Sequence, residues 1–161
     1  IILATNANRT IADYFETLEW LPRASLQTLA SAMDVGDPSN MERLRHLVGE
    51  ADILRERLGV QSVDDERIRT AIRRDYSEFG FATCPHTATA TSVWRALDEE
   101  TAAACDWVLV ATAHPAKFET IVEPLIGESV PVPQELEALL ARPARAISIE
   151  PSLGALAKVL V

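Results

Sequence analysis

The run "ATAHPAKF", residues 111–118, places a hydroxyl, an imidazole and a lysine ammonium within six positions of one another. It follows the apolar "WVLV" and opens a segment with helical spacing, so it reads as a turn from a buried strand into a helix. In open α/β sheets, ligands gather beyond the carboxyl ends of the strands. Thr112 would leave such a strand with its hydroxyl facing the crevice. Pro115 suits the first helical position, and the unpaired N–H groups of a helix start favour an anion or a polar heteroatom. A plainer reading uses the same residues: Thr112 caps the helix, and His114 bonds a backbone carbonyl. Spacing alone leaves both open.

Two other runs sit at comparable places. "ATNANRT" closes an apolar start, Ile1–Ala4, and "CPHTAT" carries His86 and Thr87 at another helix start. His46, His86 and His114 fall on separate elements with no cysteine at metal-ligand spacing, which excludes a zinc site and leaves no metal expected. Cys84 and Cys105 demand no disulfide, so reduced thiols in a cytoplasmic protein are expected. Neither a G-x-S-x-G elbow, nor a P-loop, nor a G-x-G-x-x-G loop is present.

The elements that must hold these turns follow from periodicity. Ile1–Ala4, Trp107–Ala111 and Ala146–Ile149 read as short buried strands. Helices are expected over 10–20, from Ser39 or Asn40 as cap to about Leu58 with a break at Gly49, and from Ser62 or Asp64 to Gly80. In the last of these, Ile68, Ile72, Tyr76 and Phe79 face inward. Further helices start at Pro85, run over 116–126, occupy "PQELEALL", and close the chain over 152–161. Between the first two helices, "LPRASLQTLASAMDVGDPSN" reads as a long loop, a kind of segment that is often functional. Helices alternating with short buried strands give an α/β class with a mostly parallel sheet flanked by helices.

With 161 residues, 48% of them apolar, the chain is long enough for a domain with a real core. A net charge of −9 disfavours a nucleic-acid surface, and Arg67, Arg69, Arg73 and Arg74 alternate with acids as a solvated helix face would. No run has the length of a membrane span, and no signal peptide is visible. The opening "IILATN" begins without methionine on what reads as a buried strand, so an incomplete chain, an internal piece of a larger protein, is expected.

Four segments, "ILATNANRTIADYF", "SAMDVGDPSNMERL", "CPHTATA" and "ATAHPAKF", resemble threonine synthases of the longer, bacterial and fungal type, in order and spacing over nearly the whole chain. The resemblance implies part of the large domain of a tryptophan-synthase-β-like fold. It also implies a pyridoxal 5'-phosphate enzyme that converts O-phospho-L-homoserine and water to L-threonine and phosphate. In that family the residue matching Thr112 bonds the pyridine nitrogen of the cofactor, and a neutral hydroxyl there imposes no full charge on the ring. His114, Asp34, Ser39 and Asn40 match positions near the site. The family's Schiff-base lysine and its glycine-rich phosphate loop belong to a preceding N-terminal part that this chain lacks; Lys117 and Lys158 match neither. No catalytic residue is therefore expected in residues 1–161, and the chain alone should be inactive. Cys84 departs from the acidic residue often found before "PH". Two alternatives share the fold: a threonine-synthase-like phospholyase, and a cofactor-free regulatory or interaction module.

Overall fold

The computed structural model describes residues 1–49, 51–143 and 146–160. The chain divides into two compact units, Ile1–Val130 and Pro131–Val161. In the first, β1 (Ile2–Thr5) and β2 (Gly59–Ser62) run parallel, with Ile2 opposite Gly59 and Thr5 opposite Ser62. The crossover between them contains α1 (Thr10–Thr17), a 3-10 turn (Ser31–Met33), α2 (Met41–Val48) and α3 (Ala51–Arg57). After β2 come α4 (Asp65–Phe79), α5 (Pro85–Arg95), α6 (Glu99–Ala103), a 3-10 turn (Pro115–Phe118) and α7 (Glu119–Ile126). The second unit holds α8 (Gln134–Leu140) and α9 (Leu153–Leu160).

The α/β class is as expected, but the strands differ. β2 went unread because "GVQS" offers one strong apolar residue where alternation needs several. Trp107–Ala111 and Ala146–Ile149, by contrast, have strand composition without strand pairing: among the described residues neither belongs to a sheet. Val108 is 84% exposed and Val110 70%. A strand is defined by its neighbour's backbone groups, and composition alone does not supply them.

Helix boundaries follow the local chemistry more closely. Asp64 caps α4 by accepting the Arg67 N–H at 2.8 Å, and Gly80, at φ 71°, ends it. Pro85 occupies the first turn of α5. The long second helix breaks at Gly49, as expected, into α2 and α3; Glu50 between them lies outside the described residues, as does Val161 at the chain's end. Asn40 does stand at the cap position of α2, but neither it nor Ser39 caps through its side chain. The first amides of α2 are taken instead by the carbonyls of Pro38, Ser39 and Asn40, which removes the need for a side-chain acceptor.

Two cores stabilise the first unit. Tyr14, Phe15, Met41 and Leu54 form one, with Trp20 packed edge-on against Tyr14 and Arg45 lying 4.7 Å above the Tyr14 ring. The other lies where α4 meets α5 and α7, around fully buried Ile68, Ile72 and Val122. Phe79, expected inward, is instead 41% exposed and stacked on Phe81. The unexpected occupant of this core is Asp75. Its fully buried carboxylate accepts from Thr83 Oγ1 at 2.7 Å, from Thr91 Oγ1 at 2.8 Å and from the Arg95 guanidinium. Such a carboxylate persists because each of its two oxygens has a donor and its charge is paired with Arg95.

The residues between α1 and α2 are irregular but tightly held. Thr10 Oγ1 donates to the Gly36 carbonyl at 2.7 Å, the Gly36 N–H to Ser25 Oγ at 3.0 Å, and the Arg23 N–H to the Gly36 carbonyl at 3.0 Å. A Cβ at Gly36 would stand 2.0 Å from the Arg23 carbonyl oxygen, so two stretches of backbone approach too closely for any side chain. Gly36→Ala is expected to cost about 2 kcal/mol or more in urea unfolding, through forced separation of packed backbone. Asp75→Ala should cost about 3 kcal/mol by the same measurement, since Arg95 would keep a largely buried charge without its closest partner.

Candidate functional site

Where β1 ends, the sequence changes from apolar to amide-bearing, and Asn6 is carried into the interior with no exposed surface. A buried amide requires partners for all its polar atoms. The two N–H bonds of Asn6 Nδ2 are shared among three acceptors, Thr28 Oγ1 at 2.7 Å, Asp34 Oδ1 at 2.7 Å and the Ala30 carbonyl at 3.2 Å. Its Oδ1 accepts from the backbone and side chain of Asn8. Asn8 in turn pairs with both backbone groups of Leu26. Asp34 closes the network by accepting from Asn8 Nδ2 and from the N–H and hydroxyl of Thr28. Asp34 thus fastens the long loop to the strand end.

The start of α5 meets this loop. Cys84, at the cap, accepts the Thr87 N–H through Sγ at 3.4 Å. The next side chain but one, His86, is buried, and its Nε2 accepts the Ala32 N–H at 3.0 Å. An accepting nitrogen carries no proton, so the neutral ring holds its proton on Nδ1. Burial lowers the His86 pKa below the ordinary imidazole value; the Asp34 charge opposes this and the Lys117 charge reinforces it. The other ring face is tilted against Phe118, with centroids 5.0 Å apart. His86 therefore joins three turns: the Asp34 loop, the α5 start and the 115–118 turn.

In the third turn the helix cap is His114. Its Nδ1 accepts the Ala116 N–H at 3.2 Å, so this nitrogen serves as an acceptor for the turn. Thr112 is exposed and stands outside the cap. Lys117 is exposed on the turn, and Lys158 lies near the end of α9 in the second unit. Ser39 and Asn40 are exposed at the start of α2, where among the described residues no side-chain hydrogen bond ties them to the other three turns. Asp34 and His114 are thus linked through His86 and Phe118, whereas Ser39 and Asn40 stand apart. His86 is the residue sequence reasoning undervalued. Its only signal was "PH" in the first turn of a helix, which a surface histidine would also give. Among the described residues no cluster of three metal-binding side chains exists, and no helix is long and apolar enough to cross a membrane.

A lowered histidine pKa has a definite consequence for stability. On acidification the unfolded chain takes up the proton before the folded one does. Stability from this residue is therefore complete above about pH 6.5 and declines as the pH falls from there toward the folded pKa. Urea unfolding should show a loss between about pH 7.5 and about pH 5.5 that is smaller in His86→Gln, whose side chain does not titrate there.

Comparison with known proteins bears on all four segments together. The family model described as "Threonine synthase, C-terminal" matches residues 87–160. Threonine synthase from Serratia marcescens is 34% identical over 160 residues, which cover 99% of this chain and 36% of that protein. The crystal structure of threonine synthase from Escherichia coli superposes with a TM-score of 0.82 at 33% identity, covering 99% of this chain and 36% of that one. The pyridoxal-phosphate-bound threonine synthase from Brucella melitensis gives 0.75 at 26% identity, over 88% of this chain and 35% of that one. The chain thus spans about a third of the length of the curated relatives it matches, and its turns at Asn6, His86 and Thr112 lie on a backbone shared with solved members. It belongs to the threonine synthase family, within the C-terminal part of that fold.

Proposed function

We propose that this chain is the C-terminal part of a pyridoxal 5'-phosphate-dependent threonine synthase, which converts O-phospho-L-homoserine and water to L-threonine and phosphate. Residues 1–161 form one side of the cofactor site, and the lysine that carries the cofactor belongs to the N-terminal part of the same enzyme. The free thiols of Cys84 and Cys105 suit a cytoplasmic setting.

The observation that carries the reading is at Thr112. Its hydroxyl is exposed, and the capping duty that would otherwise explain it is performed by His114. A threonine just before the 115–118 turn, relieved of capping, fits a hydrogen-bond partner for a heteroaromatic nitrogen. When bound, the cofactor supplies an electron sink. Thr112 holds the edge of the cofactor ring in place and, being neutral, does not force a proton onto the ring nitrogen as a carboxylate would. His114 and Asp34 shape the surroundings: one fixes the turn that carries Thr112, and the other fixes the loop that reaches His86. Ser39 and Asn40 are placed at the outer margin of the site.

In the complete enzyme, Thr112→Val should lower kcat/KM for O-phosphohomoserine by about 10- to 100-fold, the cost of one hydrogen bond to a charged or strongly polar group. Thr112→Ser should recover most of it. Equal activities for the three forms would remove Thr112 from the site. Product analysis tests the reaction itself: threonine with phosphate is expected, and 2-oxobutanoate alone would make the enzyme a phospholyase. The 161 residues by themselves should give no product.

A further inference from the structure

His86 is only 6% exposed, yet it spends just one of its two ring nitrogens. Nε2 is committed to the Ala32 amide, which leaves the proton on Nδ1, and Nδ1 is buried with no partner among the described residues. A histidine kept only for packing would direct both nitrogens to protein groups or to solvent, because an unpaired buried donor is a standing cost. The ring cannot rotate to find a partner without losing the Ala32 bond and its contact with Phe118. It is held, then, as a donor aimed at something the described residues do not contain.

The surroundings select the kind of acceptor. Lys117, from the 115–118 turn, places a positive charge within reach of the ring. His86 itself lies in the first turn of the eleven-residue α5, where the helix dipole is positive. Among the described residues the anion that acts on it is Asp34, from the loop, and its carboxylate already accepts from Asn6, Asn8 and both donors of Thr28. A negative acceptor is therefore favoured over a neutral or cationic one. Phe118, against which the ring lies, belongs to the turn that begins three residues after Thr112.

We propose that His86 is a ligand-binding residue whose Nδ1–H donates to an anionic oxygen of the substrate or product, on the phosphate or on the carboxylate. The proposal rests on the reading of this chain as part of a threonine synthase. It assigns His86 a role in binding the reacting molecule, distinct from the ring-nitrogen partner given to Thr112.

The test uses the complete, cofactor-loaded enzyme carrying 15N-labelled histidine, with the His86 Nδ1–H resonance assigned by its contact with the Phe118 ring protons. Inorganic phosphate and L-threonine are titrated separately. A downfield shift and slower solvent exchange with phosphate place the phosphate there; the same response to threonine alone places the carboxylate there. A proton found on Nε2, or an Nδ1–H that responds to neither ligand in an enzyme that makes threonine, overturns the proposal while leaving the assigned reaction standing. An enzyme that makes no threonine overturns the reaction first. In kinetics, His86→Gln should raise KM for O-phosphohomoserine about tenfold or more, and an unchanged KM would count against the proposal. The resonance measurement on the unmodified enzyme decides the matter even if that variant folds poorly.

Discussion

One buried amide organises the turns of the first unit. Asn6 follows directly on β1 and has no water to bond, so its surroundings must supply acceptors and donors. Asn8, two residues on, supplies one part, while Thr28, Ala30 and Asp34 come from the loop between α1 and α2, and satisfying Asn6 fixes that loop in space. The loop then presents the Ala32 amide to His86, and His86 meets Phe118. A single buried side chain that must be satisfied thereby sets the relation between three turns that are far apart in sequence.

Polar burial recurs at Asp75 with a different outcome. There the carboxylate is fully supplied by two threonine hydroxyls and Arg95, and the result is a rigid joint between α4 and α5. At His86 the supply from the described residues stops one partner short. The contrast separates a structural polar group from one with capacity left over, and it is visible only when each donor and acceptor is followed to its partner.

Local signals in the sequence were legible where the physics is local. Asp64 and Gly80 mark the ends of α4, Pro85 the start of α5, and Gly49 the break between α2 and α3, because each acts within a turn of its own position. The helical turn was legible at "ATAHPAKF", although the cap proved to be His114 and not Thr112. What could not be read was pairing and burial at a distance. "GVQS" became a strand because Ile2–Thr5 lies beside it, while "WVLV" has strand composition and no sheet partner among the described residues. The burial of Asp75 and His86 could not be read either, since nothing within four positions announces the threonines, arginine or amide that enclose them.

The crossover also bears on how the chain assembles. Ser62 Oγ donates to the Asn6 carbonyl across 56 residues of sequence, a long excursion for a two-stranded ribbon to close. The bonds from Asn6 and Asn8 into the loop span only 18 to 28 residues. They divide one large entropic closure into shorter ones, so that the loop can gather onto the strand end before β2 arrives. The asparagines that hold the finished turn would in that way act earlier, as staging points on the route to the native topology.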